Sequence, residues 1–262
     1  MRELLGDLEA FSPEEKDPVR RAQAAMKRPL PKRFYKKAEA VAREDGAFGI
    51  ALDGRMVRTP AKREFTLPSQ FLADLVAAEW EAQETEIDPG RMPLTRTVNS
   101  AIDGVAGMMS ATRAEIAAYA GSDLVCYRAE APRELVARQS AEWDPFLAFA
   151  RDALGATFVT GEGVMHVAQA DAAVAAVAAR LEAETSPLAL SALHVLVTIT
   201  GSVLMALALA DGHSTAEAVW QAAHVDEDWN AEQWGEDAEA ANRRAYRRAE
   251  FDAAAAILAA TR

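Results

Sequence analysis

A stretch of 24 residues without a charged side chain, residues 187–210, places the strongest limit on how this chain can fold. Such a stretch is long enough to cross a bilayer, and it is equally typical of a helix that is buried on all sides. Ser191 and His194 interrupt it, and no cluster of Lys or Arg flanks either end to orient a membrane span. We therefore interpret it as the central helix of a helical domain, beginning at Ser186-Pro187 and closed by Gly212.

A β-hairpin is predicted in the first third of the chain. Apolar residues from Phe48 to Leu52 alternate with small ones, and Asp53-Gly54 follows them. Asp-Gly is favoured in the two-residue turns that join antiparallel strands. Three cross-strand pairs follow from this turn: Leu52 with Arg55, Ile50 with Val57, and Phe48 with Thr59. Residues 34–41 and 64–67 are predicted as further strands.

Helix signals dominate the rest of the sequence. Helix starts are predicted at Ser69, at the capping boxes Thr112–Glu115 and Ser214–Glu217, and at Asp144-Pro145. The helix that begins at Asp144-Pro145 should end at Gly155. Residues 157–167 contain Gly161-Glu162-Gly163 and are predicted as a second hairpin.

These patterns predict an α+β fold with two domains. Residues 32–100 are expected to form a small β-containing domain, and residues 101–262 a larger domain of helices. Residues 1–31 are interpreted as a basic N-terminal arm, because the stretch from Lys16 to Lys37 holds nine basic residues against one acid.

The charge distribution argues against nucleic acid as a partner. The net charge is −12, and it divides into +4 for residues 1–67 and −16 for residues 68–262. A surface this acidic repels a phosphate backbone. The single cysteine, Cys126, cannot form an internal disulfide, and residues 1–30 lack the continuous apolar core of a secretory signal. We therefore expect a reducing, cytoplasmic location.

Signatures of catalysis, nucleotide binding and metal binding are not found in the sequence. It contains neither a Gly-x-Ser-x-Gly elbow nor a phosphate-binding loop, and its four histidines do not have metal-ligand spacing. Cys126 lies between Val125 and Tyr127 and resembles a small buried apolar residue. We expect a protein that is not an enzyme and that has no cofactor and no bound metal.

Two polar regions are candidates for binding a partner. The first is the link around Arg91, Arg96 and Asn99, where helix capping and interdomain packing are the competing interpretation. The second is an acidic C-terminal region that contains Asp226, Glu227, Asp228, Trp229, Glu232, Trp234 and Glu236. Carboxylates beside Trp are typical of recognition surfaces, although a solvated helix face with core tryptophans would show the same pattern.

Seven strings taken together resemble one family, the assembly chaperones of the alpha subunit of the F-type ATP synthase, found in mitochondria and alphaproteobacteria. The strings are Arg33-Phe34-Tyr35-Lys36; Leu52-Asp53-Gly54-Arg55 with Val57-Arg58-Thr59-Pro60; Ala78-Glu79-Trp80; Met92-Pro93-Leu94-Thr95-Arg96 with Asn99; Asp123-Leu124 with Cys126-Tyr127-Arg128; Trp143-Asp144-Pro145; and Gln233-Trp234-Gly235. They occur in the family's order and extend over nearly the whole chain from Arg33.

The resemblance implies a two-layer α/β N-terminal domain followed by an orthogonal helical bundle. It also implies a task without catalysis: binding the unassembled alpha subunit, preventing its aggregation and releasing it for pairing with beta, without ATP. The family depends on an acidic residue in its C-terminal helices, and the resemblance does not fix which acid here matches it. The implied location is the bacterial cytoplasm, or the mitochondrial matrix for a eukaryotic protein.

Two other functions remain open at the level of sequence. A small-molecule enzyme could have a cleft at the domain junction, lined by Arg91, Arg96, Asn99 and Asp103. A membrane component could instead use residues 187–210 as its span. The oligomeric state does not follow from the sequence.

Overall fold

The structure is a computed structural model that describes residues 30–235 and 237–262. The predicted basic arm therefore lies almost wholly outside the described residues. The described residues divide into two compact units, residues 30–34 with 83–88, and residues 35–82 with 89–235 and 237–262. In the first unit Lys32 lies opposite Glu86 in an antiparallel bridge, and the amide of Arg33 donates to the carbonyl of Thr85 at 2.9 Å. The division at residue 100 stays a prediction.

The second unit contains a three-stranded antiparallel sheet in the order β1-β2-β3. Its strands are Ala38–Ala42 (β1), Phe48–Leu52 (β2) and Arg55–Met56 (β3). Asp53 and Gly54 both have positive φ, 47° and 79°, which is the backbone of a type I′ turn. The predicted hairpin and its turn are confirmed.

Two of the three predicted cross-strand pairs are present. Leu52 pairs with Arg55, and the amide of Val57 donates to the carbonyl of Ile50 at 2.8 Å. The predicted pairing of Phe48 with Thr59 is wrong, because β3 ends at Met56 and Phe48 exchanges both backbone hydrogen bonds with Leu67. Residues 64–67 supply isolated bridges and do not form the predicted strand.

Helices make up most of the second unit, so the predicted α+β class is confirmed. The described α-helices are Gln70–Glu81 (α1), Pro93–Asp103 (α2), Met109–Ala118 (α3), Arg133–Leu154 (α4), Asp171–Glu182 (α5), Pro187–Thr200 (α6), Val203–Ala210 (α7), Ala216–Ala223 (α8), Val225–Trp234 (α9) and Ala238–Thr261 (α10). Four short 3₁₀ turns lie among them, at Pro89–Arg91, Val105–Gly107, Tyr119–Ser122 and Leu124–Cys126. Helix α1 packs on β1 and β2 and forms a second layer on the sheet.

The long apolar stretch folds as two helices. Ser186 caps α6 as predicted, its hydroxyl accepting from the amide of Ala189 at 3.2 Å. The expected continuation to Gly212 is wrong, since α6 ends at Gly201, where φ is +69°, and Ser202 caps a new helix, α7. Helices α2, α3, α7 and α10 all pack against α6, which is the centre of the core. No helix in the described part of the chain has the length and hydropathy to cross a membrane.

The other predicted helix ends have mixed outcomes. Ser69 caps α1, and Gly155 ends α4 with a φ of +67°. The first predicted capping box is wrong, because Thr112 lies inside α3 and donates to the carbonyl of Met108 at 3.1 Å. The second is displaced by one residue, because Thr215 and not Ser214 caps α8.

The predicted helix start at Asp144-Pro145 is also wrong. Pro145 lies inside α4, whose buried residues include Trp143 and Phe146 on both sides of the proline. Continuous apolar burial therefore carries the helix past the lost hydrogen bond. The predicted hairpin at residues 157–167 does not form either, because Gly161–Glu162 (β5) pairs in parallel with Tyr127–Arg128 (β4).

Candidate functional site

The acidic C-terminal region lies mainly on helix α9. This helix carries Asp226, Glu227, Asp228, Trp229, Glu232 and Trp234, and only its first residue, Val225, is buried. Glu236 lies outside the described residues. Three of the carboxylates occupy the first turn, where they are favoured by the partial positive charge of a helix N-terminus.

On one side, α9 is attached to α4. The side-chain amide of Gln139 donates to Asp226 Oδ1 at 2.7 Å. Arg138 Nη1 donates to both carboxylate oxygens of Glu232, at 2.8 and 2.9 Å. Because Gln139 is buried and Arg138 is half-buried, these contacts fix α9 at both of its ends.

On the other side, α9 is attached to α10. Arg244 forms an ion pair with Asp228, and Arg247 Nη1 lies 3.5 Å from Glu227 Oε1. Glu227 and Glu232 nevertheless keep 54% of their side chains exposed. The carboxylates therefore hold α9 in place and remain accessible to a partner, and exposed pairs of this kind each contribute only about 0–1 kcal/mol to stability.

The tryptophans of α9 differ in their exposure. Trp229 is half-buried, whereas Trp234 is 88% exposed at the C-terminal end of the helix. Trp234 lines a groove of about 440 Å³ between α9 and the first turns of α10, together with Asn230 and Arg243. Trp234 is thus not a core residue, and it is available as an aromatic anchor.

His224 immediately precedes α9 and is buried. Its ring is 1% exposed and lies 3.8 Å from the ring of Trp220, centroid to centroid. Its Nδ1 lies 2.8 Å from the carbonyl oxygen of Trp220, so Nδ1 carries the proton that is donated to this oxygen. Burial is the main cause that lowers the pKa of His224, which makes the neutral ring the form at pH 7.

The link that contains Arg91, Arg96 and Asn99, which we call the arginine link, also lies beside α10. Arg91 is exposed at the end of a 3₁₀ turn, and Arg96 Nη2 lies 2.5 Å from Glu250 Oε1 with its guanidinium 5.7 Å from the ring centroid of Tyr246. The carbonyl oxygen of the Asn99 side chain is buried and has no hydrogen-bond partner within the described ranges. The two candidate regions thus contact the same stretch of α10 and do not merge into one site.

Asp103 is bound within the fold. Its two carboxylate oxygens accept from the hydroxyl of Thr59 at 2.7 Å and from the amide of Ala61 at 2.9 Å. This carboxylate therefore fixes the loop that follows β3. In residues 30–235 and 237–262, no group of three or more His, Cys, Asp or Glu side chains is placed to hold a metal ion.

The sequence contains no local signal for the role of Glu79 as a helix cap. Met92 offers no side-chain cap to α2, and Glu79 of α1 takes that place. Its carboxylate accepts from the amides of Leu94 and Thr95 at 2.7 and 2.8 Å, and from the Thr95 hydroxyl at 2.8 Å. Burial raises the pKa of Glu79. Two of the seven strings, one in each helix, are joined by this cap.

Contacts of Arg128 join two more of the seven sequence strings. This buried side chain donates to Asp144 Oδ1 at 2.7 Å, and its guanidinium lies 5.0 Å from the ring centroid of Trp143. The nearby Cys126 is fully buried, and burial is the main cause that raises the pKa of its thiol to about 12. Such a thiol is not a nucleophile at neutral pH. These strings are therefore structural contacts.

This chain is similar to a protein-family model and to several solved structures. The family model described as ATP12 chaperone protein matches residues 32–151. A solved structure of a candidate chaperone from Agrobacterium tumefaciens is similar at 49% identity, covering 100% of this chain and 97% of its own, with a TM-score of 0.83. Atp12 from Paracoccus denitrificans is similar at 37% identity, covering 88% of this chain and 99% of its own, with a TM-score of 0.77.

An aspartate-to-lysine variant of the Paracoccus denitrificans protein has also been solved. It is 36% identical to this chain, covers 88% of it and 98% of its own length, and has a TM-score of 0.77. The family and its solved relatives are described as chaperones and not as enzymes.

Proposed function

The chain belongs to the ATP12 chaperone family, and on that premise we propose that it is an assembly chaperone of the F-type ATP synthase. Its client, in this proposal, is the unassembled alpha subunit, which it keeps from aggregating and releases for pairing with beta. The observation that carries the proposal is the similarity to Atp12 over nearly the full length of both chains. The choice of the alpha subunit rests on the resemblance of the seven strings.

The physical basis of this activity is the covering of an interface. A subunit without its partner exposes apolar surface that would be buried in the assembly, and such surface drives aggregation. A protein that binds only this state protects it by mass action, and this needs no ATP.

Helix α9 supplies the main contact surface in this proposal. Trp234 is an exposed aromatic anchor, and Glu227 and Glu232 are carboxylates that stay half-exposed while they hold the helix in place. Aromatic anchors contribute contact energy, and surrounding charges select the partner. Arg91, Arg96 and Asn99 are proposed as a second contact region, which is attached to α10 through Arg96.

The alternative of a small-molecule enzyme does not hold. Asp103 is bound by the loop that follows β3, and Arg96 is paired with Glu250, so two of the four candidate cleft residues already have partners within the fold. The relatives of this chain are described as chaperones, not as enzymes. The chaperone interpretation is therefore preferred over an enzyme with a cleft at the domain junction.

Co-expression with the client tests the contact surface. The ATP synthase alpha subunit is produced without beta, together with either the wild-type chain or Trp234→Ala, and the soluble fraction of alpha is measured. Phe71→Ala is the matched control, because Phe71 is 57% exposed on α1, away from α9. We expect protection by the wild type and by the control, and a loss with Trp234→Ala. Equal protection by all three proteins would remove α9 from the contact surface.

A charge exchange separates the client-binding role of Glu232 from its structural role. Glu232→Arg combined with Arg138→Glu keeps an ion pair between α9 and α4 but inverts the charge that α9 presents. We expect the thermal unfolding midpoint to change little, since exposed pairs contribute about 0–1 kcal/mol, and protection of alpha to fall. Full protection by the exchanged pair would show that the carboxylate acts only within the fold.

A further inference from the structure

Two apolar side chains are largely exposed to solvent on the loop that follows β5. Val164 is 98% exposed and Met165 is 76% exposed, and Val159, which precedes β5, is 52% exposed. This loop lies between α4 and α5 in the chain. It is therefore separate from helix α9 and from the arginine link. We call Gly163, Val164 and Met165 the apolar tip.

The chain around the apolar tip is anchored by a backbone hydrogen bond at Gly163 and by the side chain of Gln169. The amide of Gly163 donates to the carbonyl of Arg128 at 2.8 Å, and Gly163 has a φ of +75°. The side-chain amide of Gln169 binds both the N–H and the carbonyl of Val159, each at 2.8 Å. These bonds anchor the chain next to the apolar tip, whose two apolar side chains lie in solvent and can be covered by a partner.

A groove of about 360 Å³ runs from the apolar tip to helix α9. Its walls include the apolar side chains Leu124, Leu135, Trp143 and Val164, and its far end includes Asp226 and Asn230. The groove therefore joins the apolar tip to the acidic helix. We call it the tip groove.

The exposed charges around the tip groove are negative. Its one cation among the described lining residues, Arg128, is buried and paired with Asp144. Asp226, whose Oδ1 accepts from Gln139, lines the groove and is exposed, and the exposed Glu130 carboxylate lies against Gly163 of the tip. An occupant that is complementary to this surface is apolar at the tip and basic at its rim.

We propose that the apolar tip and the tip groove bind a segment of the alpha subunit in which an aliphatic side chain is flanked by Lys or Arg. This inference rests on the proposed function, and it adds a contact of defined chemistry to α9. The tip would cover the aliphatic side chain of the client, while Glu130 and Asp226 would face its basic neighbours.

Site-specific crosslinking tests the position of the contact. Val164→Cys is labelled with a benzophenone maleimide, and the native Cys126 stays unlabelled because it is fully buried and its thiol pKa is raised to about 12. Met108→Cys is the matched control, since Met108 is 61% exposed before α3. We expect crosslinks from position 164, and not from position 108, to an alpha-subunit peptide with Lys or Arg beside an aliphatic residue. Equal yields from both positions, or a peptide without a basic residue, would overturn the inference.

A binding measurement tests the energetic contribution of the tip. Val164→Ser combined with Met165→Ser removes the apolar groups from a solvent-exposed loop, so the fold should be kept, and circular dichroism checks this. We expect the affinity for the alpha subunit to fall about tenfold or more, because the contact loses two buried apolar side chains. Met108→Ser should bind as the wild type does.

The outcomes separate this inference from the proposed function. If the wild type binds and protects the alpha subunit and the double variant does so equally well, the apolar tip is not a contact and the proposed function stands. If the wild type itself neither binds nor protects the alpha subunit, the proposed function fails and the inference fails with it.

Discussion

Asp123 shows how one residue can join two elements of this fold. Its side chain is fully buried, and it accepts from the amide of Val125 at 3.2 Å and from the amide of Leu204 at 3.1 Å. It thereby caps a 3₁₀ turn and the first turn of α7 together. Burial is the main cause that raises the pKa of Asp123 from 3.8 to about 6, and the hydrogen bonds that it accepts offset part of this effect.

The raised pKa of Asp123 predicts a pH dependence of stability with a definite sign. The folded state binds the proton more tightly than the unfolded state, so the free energy of unfolding falls as the pH rises from about 4 to about 6. The size of this contribution is on the order of 3 kcal/mol. Urea unfolding of the wild type and of Asp123→Asn between pH 4 and 7.5 measures it. The difference between the two proteins should shift toward lower wild-type stability with rising pH, and a constant difference would contradict the assignment.

The cap that Glu79 provides to α2 gives a second prediction at the residue scale. Glu79→Ala should lower the free energy of unfolding by about 1–2 kcal/mol, because two amides at the start of α2 lose their acceptor. Asp74→Ala, an exposed substitution on the same helix, is the control. Denaturant unfolding measures both, and an equal small effect would mean that solvent replaces the cap at no cost.

At the scale of elements, the break between α6 and α7 depends on Gly201. Its φ of +69° is the left-handed conformation that a side chain disfavours. Gly201→Ala should therefore destabilise the fold by about 1–2 kcal/mol. Gly121→Ala is the control, because Gly121 has no positive φ and open space where a Cβ would lie. Thermal unfolding of both variants tests this, and equal unfolding midpoints would contradict it.

Elements whose signals are local could be predicted from the sequence. The Asp53-Gly54 turn and the caps at Ser69 and Ser186 each depend on a few neighbouring residues, and all three are present. Asp144-Pro145 has the same local pattern as Ser186-Pro187, yet it lies inside a helix. Its carboxylate is bound by Arg128, and the apolar face of α4 continues past the proline. Tertiary contacts override the local preference there.

The candidate site was predictable only in part for the same reason. Its acidic residues cluster in the sequence, but the arginine that binds Glu232 is 94 residues away along the chain. The exposure of Val164 is likewise a tertiary property, since the sequence pattern around Gly161 fits an ordinary hairpin as well as an apolar loop. Which charges are paired and which apolar groups stay in solvent follows only from the packing of the helices.

At the scale of the whole molecule, the acidic charge predicts how client binding responds to salt. The chain carries a net charge of −12, and the half-exposed carboxylates of α9 belong to the proposed client-binding surface. Exposed charges are screened beyond a Debye length of about 10 Å at 0.1 M salt. Raising the NaCl concentration from 50 to 300 mM should therefore weaken alpha-subunit binding several-fold while unfolding in urea changes little. Binding that is insensitive to salt would contradict a role of the carboxylates in recognition.

The most direct test of the central claim is an affinity pull-down of the tagged chain from its own cells, with the bound proteins quantified by mass spectrometry at low and moderate salt. A chaperone of the unassembled alpha subunit should enrich alpha without an equal amount of beta, because the client is released when beta joins. Absence of alpha at both salt concentrations, even when alpha is overproduced without its partners, would contradict the proposed function.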